Sequence, residues 1–76
     1  MTQIEPVTVD ARGHRCPVPT LRLRRAMEAA GYGGQVLLIA DDPLAKIDVP
    51  HFVAAKGWRL VHSAQDGSIL RFLVAG

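Results

Sequence analysis

The sequence predicts an α+β fold with the element order βαβαββ, and three observations carry that expectation. Residues 35–40 form a near-continuous apolar run between Gly34 and Asp41, as in a strand interior to a sheet. Residues 17–30 place apolar side chains at helical spacing and run into Gly31, with Gly33 and Gly34 behind it. Gln65-Asp66-Gly67 separates two strand-like stretches, 58–64 and 68–74, in the manner of a hairpin turn. Composition agrees with this. The 49% hydrophobic and 21% charged content is that of a globular chain, and 76 residues make a single domain, 1–76. A domain this short buries only about 60% of its unfolded surface.

Taken in order, Met1 to Pro6 reads as a short tail leading into a strand at Val7 to Asp10. The first helix is expected from Pro17 to Ala30, with Pro17 at the first helical position, where a missing N–H costs nothing. Cys16 then falls at the N-cap. On a 100° wheel Pro19, Leu23, Ala26, Met27 and Ala30 form the core face. Arg22, Arg24, Arg25 and Glu28 point elsewhere, as do Val18 and Leu21, two apolar residues on the arginine-bearing side. After the strand 35–40, Asp42-Pro43 has the form of a turn with Pro at its second position. Adjacent carboxylates rarely converge on one ion, so Asp41-Asp42 is not expected to bind metal. A second helix follows with Asp48 as N-cap, Pro50 in its first turn, Val49, Phe52 and Val53 inward, and Gly57 at its end. In the closing hairpin His62 and Arg71 are candidates for the open sheet face, although periodicity alone does not assign the faces.

The chemistry concentrates in Arg12-Gly13-His14-Arg15-Cys16-Pro17-Val18-Pro19, which contains the only cysteine. Oxygen side chains cap helices better than sulfur does, so a cysteine there suggests chemistry. A thiol reacts as its thiolate, and helix N-termini and neighbouring cations lower its pKa. Arg12 and Arg15 flank Cys16, and no acidic residue occurs between Asp10 and Glu28. Pro17 and Pro19 lack N–H groups, which leaves the amides of Val18, Thr20 and Leu21 to face the sulfur. The dipole adds roughly 0.3–1 kcal/mol for an anion there. The expectation is a stabilised Cys16 thiolate with Arg12 and Arg15 as its anion stabilisers. One cysteine excludes an intramolecular disulfide, a dithiol redox pair and a multi-cysteine zinc site. His14, His51 and His62 lack metal-ligand spacing.

Asp10-Ala11-Arg12-Gly13-His14-Arg15-Cys16-Pro17-Val18-Pro19 resembles the D-A-x-G-x-x-C-P-x-P signature of the TusA/SirA-like sulfur-carrier family. The likeness continues through Asp42-Pro43, Asp48-Val49-Pro50, Gly57, Asp66-Gly67 and the final Leu70-Arg71-Phe72-Leu73-Val74 strand. His14 departs from the apolar residue usual before Arg-Cys, and Val18 stands where tRNA-thiolation members often carry Glu. The resemblance implies a two-layer α/β sandwich, with two helices on one face of a four-stranded mixed sheet. It also implies a persulfide acceptor at Cys16, motif-structural roles for Asp10, Gly13, Pro17 and Pro19, and a monomer without a cofactor.

Under that reading a cysteine desulfurase or a rhodanese supplies sulfane sulfur to Cys16, which passes it to a downstream acceptor protein. Wobble-uridine thiolation of tRNA, cofactor synthesis and sulfur oxidation are the pathways it leaves open. A second cysteine nearby would attack the persulfide and release sulfide, so a single one suits a carrier. Val18, Leu21, Arg22 and Arg25 are the candidate docking residues around the sulfur. The alternative is a regulatory or RNA-binding module using the basic first helix. A net charge of +2, four aromatic residues and no RNA-binding motif count against direct nucleic-acid contact. A plain redox sensor would need a resolving cysteine that this chain lacks. No apolar stretch resembles a signal peptide or reaches the length of a membrane span, so a cytoplasmic protein is expected.

Overall fold

The computed structural model describes residues 6–76 and contains the expected six elements in the expected order. Strand β1 (Val7–Asp10) leads through a loop to helix α1 (Val18–Ala30), strand β2 (Gln35–Ala40) and helix α2 (Ala45–Ala55). Strands β3 (Arg59–Asp66) and β4 (Ile69–Ala75) close the chain. The tail expected before β1 falls, apart from Pro6, outside the described residues.

The sheet order is β1-β2-β4-β3, with β1 parallel to β2 and β4 antiparallel to both its neighbours. Both helical crossovers, β1 to β2 and β2 to β3, therefore step across the sheet in the same direction. Right-handed connections place both helices on one face when that is so. Burial agrees: Val36, Leu38 and Ala40 of β2 and Leu70, Phe72 and Val74 of β4 are buried together with Leu23 and Met27 of α1 and Val49 and Val53 of α2. The alternate residues Leu37, Ile39 and Leu73 remain partly exposed on the helix-free face. His62 pairs with Leu73, and Ala64 with Arg71, so His62 and Arg71 both lie on that open face.

Three boundaries differ from expectation. Helix α1 begins at Val18, with Pro17 as its N-cap and Pro19 in its first turn, so Cys16 precedes the cap. Pro19, Leu23 and Met27 are buried as expected and Ala26 and Ala30 are half-buried. Buried Thr20 joins them, because its hydroxyl donates to the Pro17 carbonyl at 2.8 Å. Helix α2 starts at Ala45, three residues before the expected cap. The Asp42 carboxylate accepts the Leu44 amide at 3.1 Å and the Asp42 carbonyl accepts the Ala45 amide at 2.9 Å. Asp42 thus starts the helix, Asp48 sits within its first turn and Pro50 lies inside it. Finally, Gln65 and Asp66 belong to β3, and the hairpin turns on Gly67-Ser68. Gly67 has φ +63° and, among the described residues, no non-glycine residue has a positive φ, which fits the type II′ requirement for Gly at the first turn position.

Candidate functional site

The site is built where the two parallel strands end. Because β1 and β2 run side by side in the same direction, the loops that follow them, 11–17 and 41–44, emerge at the same edge. The Ala11 amide extends the pairing by donating to the Ile39 carbonyl at 2.7 Å, and Ala11 itself is fully buried. The cysteine loop then leaves the sheet through Gly13, whose φ of +84° suits glycine.

Two carboxylates from the second loop hold the first. Asp41 Oδ1 accepts the Gly13 amide at 2.9 Å, and Asp42 Oδ2 accepts the Cys16 amide at 2.7 Å. Asp42 uses its other oxygen on Leu44, so one side chain ties the cysteine to the start of α2. The Cys16 hydrogen bond lowers the Asp42 pKa first, followed by the Leu44 bond, with the Arg15 charge contributing less. Gly13, His14, Arg15, Asp41, Asp42 and Pro43 enclose a shallow depression of about 310 Å³ beside the cysteine.

Cys16 is half-buried and packs against the hydrophobic core. Its thiol is pushed up to about 11, first by burial, then by the Asp48 carboxylate, with Asp42 adding to the effect. The direction is opposite to the lowering expected from the sequence, and several of the supposed stabilisers have other engagements. Arg12 donates through Nε and Nη2 to both oxygens of Asp10, at 2.9 and 2.7 Å. This pairing holds the Asp10 carboxyl down at about 2. The Val18 amide donates to the Arg15 carbonyl and the Leu21 amide to the Pro17 carbonyl, so two of the three helix amides are spent on the chain itself. Arg15 is exposed and lines the depression together with Asp42.

Of the residues expected to have structural roles in the motif, Asp10 pairs with Arg12, Gly13 has φ +84° and Pro19 is fully buried. Pro17 caps α1, and the peptide bond joining it to Cys16 is cis. Val18, Leu21, Arg22 and Arg25 come together along one groove of about 430 Å³, completed by Val9, Ala26 and Ala29. Arg22 also donates to the Asp10 carbonyl at 2.8 Å, which anchors this groove to the edge strand β1. Leu21 is 52% exposed on its rim.

The residues that sequence reasoning missed are Asp41, Asp42 and Asp48, which it assigned to a turn and a cap. The available signal was topological: in a parallel pair, residues directly after one strand meet those directly after the other. Among the described residues no group of three or more His, Cys, Asp or Glu side chains is placed to hold a metal ion. No helix of the described chain is long and apolar enough to cross a membrane.

Comparison with known proteins adds three findings. The family described as "Sulfurtransferase TusA" matches residues 7–76. A candidate sulfur carrier protein of Archaeoglobus fulgidus is 43% identical over 68 residues, covering 87% of each chain. The crystal structure of a SirA-like protein from Desulfitobacterium hafniense superposes with a TM-score of 0.82 at 22% identity. That superposition covers 92% of this chain and 96% of the other, and so supports the fold.

Proposed function

Because this chain belongs to the TusA sulfurtransferase family, we propose that it is a sulfur-relay carrier that accepts sulfane sulfur on Cys16 as a persulfide and surrenders it to a downstream protein. The observation that carries this reading is the placement of the only cysteine. It lies half-buried at a sheet edge, on a loop fixed by two carboxylate–amide bonds, beside the open depression and close to the α1 groove. The surfaces around the sulfur are shallow, so the larger reactant is held by a docked protein and the carrier contributes the sulfur atom. Val18, Leu21, Arg22 and Arg25 supply an apolar and cationic docking strip, and Arg15 faces an incoming persulfide anion. A cysteine desulfurase or a rhodanese is the donor, and an enzyme that binds its own substrate is the acceptor.

In the loading step the Cys16 sulfur attacks the outer sulfur of the donor's persulfide. The donor S–S bond breaks, an S–S bond forms on Cys16, and the donor leaves as a thiolate that takes the proton Cys16 gives up. No external oxidant enters, since the sulfane sulfur keeps its oxidation level. Intact mass measured after incubation with a cysteine desulfurase and cysteine, or with a rhodanese and thiosulfate, tests the reading. One added sulfur atom that dithiothreitol removes, absent from Cys16→Ser, is the expected result. An unmodified protein with both donors would overturn it.

A further inference from the structure

Strand β1 is an edge of the sheet and pairs with β2 alone. Successive residues of a strand present their backbone groups to opposite sides, and an edge strand leaves one row of them unpaired. The Ala11 amide reaches the Ile39 carbonyl, so Val7 and Val9 also face β2, while Thr8 and Asp10 turn their amides and carbonyls outward. The Asp10 carbonyl agrees with this, since it accepts Arg22 Nη1 at 2.8 Å from α1 rather than from the sheet. Among the described residues, the Thr8 amide, the Thr8 carbonyl and the Asp10 amide have no hydrogen-bond partner. The groove of about 430 Å³ lies along this edge, between β1 and α1. Val9, Val18, Leu21, Ala26 and Ala29 make it apolar, and Arg22 and Arg25 supply its charge. Arg24 is paired with Glu28 and Arg12 with Asp10, whereas among the described residues Arg25 forms no ion pair.

We propose that a partner protein docks here by adding an extended acidic segment as a fifth strand beside β1, with aliphatic side chains in the groove and a carboxylate on Arg25. The four residues of β1 span about 13 Å, so the backbone pairing is short and the groove contacts supplement it. Alternate side chains of an added strand point to the α1 side of the sheet, where the apolar lining receives them. The groove lining carries two arginines and no carboxylate, which favours an acidic segment. The same charge opposes a second copy of this chain, whose own β1 edge would bring two more groove arginines. Arg22 covers the Asp10 carbonyl when no partner is bound, as a charged side chain on a short edge strand discourages indiscriminate pairing. A partner carboxylate that draws Arg22 away opens that acceptor to the added strand. The position suits transfer, because β1 runs directly into the cysteine loop and Val18 of the groove follows Cys16 by two residues. The inference deepens the carrier reading and rests on it for the partner's place in a sulfur relay, but its test needs no sulfur.

The probe is a short blocked peptide that alternates valine with threonine and ends in two glutamates, titrated into the isotope-labelled full chain. Amide hydrogen exchange is read residue by residue by NMR. The expected result is saturable binding that slows exchange of the outward Thr8 and Asp10 amides about tenfold or more and leaves the Val9 and Ala11 amides, which already face β2, unchanged. Thr8→Pro removes an outward donor without touching the β1–β2 ladder, as proline is tolerated on an edge strand with its missing N–H turned to solvent. It should weaken binding about tenfold or more with far-UV dichroism unchanged. Arg25→Gln should weaken it about tenfold, and exchanging the peptide's glutamates for lysines should abolish it. If Thr8→Pro loses its dichroism, the same peptide N-methylated at alternate amides, tested on the wild type, decides in its place. Unslowed exchange at Thr8 and Asp10, or binding indifferent to Thr8→Pro and Arg25→Gln, overturns the proposal. So does slow exchange there without peptide: at any dilution it means that the chain itself covers the edge, and growing with protein concentration it means a second copy. If the edge behaves as expected but neither donor loads Cys16, the carrier reading fails and the docking surface stands. If Cys16 loads and the edge takes no peptide, the reverse holds.

Discussion

The folded chain should react more slowly at Cys16 than the same chain unfolded, and the structure sets the size of the difference. An ordinary cysteine has a pKa of 9.0, and burial together with Asp48 and Asp42 takes Cys16 to about 11. At pH 8 roughly a tenth of the unfolded chain's sulfur is thiolate, against roughly a thousandth in the folded chain, a loss of about a hundredfold. The thiolate of a weaker acid is the better nucleophile; with a Brønsted coefficient of about 0.45 the two units return roughly eightfold in exchange with a disulfide. The net expectation is a folded-state rate about tenfold below the unfolded one at pH 8. Neutral 4,4′-dithiodipyridine, read by thiopyridone release with and without concentrated urea, measures both rates. The folded profile should still climb between about pH 9 and about pH 10, where the unfolded one levels off. The same displacement makes stability fall as pH rises from 9.0 toward about 11, since the folded chain then keeps a proton that the unfolded chain has lost. A folded profile that levels at or below pH 9.0 would refute the reasoning and return control of the sulfur to the arginines and the helix dipole.

Two further outcomes follow from the packing and the loop electrostatics. Leu23, fully buried between α1 and the sheet, should cost about 2–5 kcal/mol when changed to Ala, read as a lower urea midpoint with an unchanged slope. Asp10, held at about 2 by Arg12, contributes stability present above 3.8 and lost as pH falls from 3.8 toward 2. Asp10→Asn should therefore flatten the acid limb of the stability profile, and an unchanged limb would mean that the ion pair is idle in solution.

The fold was legible because its strongest signals are local. The apolar run of β2, the helical spacing of Leu23 and Met27 and the glycine at the hairpin are each decided within a few residues. The boundaries that moved depend on contacts between segments. Asp48 has the residue type of an N-cap and a proline two positions on, yet Asp42 takes the Leu44 amide and begins α2 earlier. Gln65 and Asp66 have turn-like side chains, but pairing of Asp66 with Ile69 extends the ladder to the glycine.

At the site, the sequence identified the cysteine loop and the residues of the α1 groove but assigned the wrong sign to the electrostatics around the sulfur. The reason is a difference in range. Charges near Cys16 in the chain are cationic, at positions 12 and 15, whereas the charges near it in space are anionic and arrive from 26 and 32 residues away. A short loop can turn its own arginines outward at little cost, because they are long and exposed. It cannot easily turn away from Asp42, which accepts its backbone. Asp42, which shapes the cysteine loop, thus also raises its thiol pKa, and Asp42→Asn removes the charge but leaves one acceptor oxygen for the two amides of Cys16 and Leu44. The thiol should become more acidic while one of those two amide bonds is lost, read as a lower urea midpoint beside the shifted thiol profile.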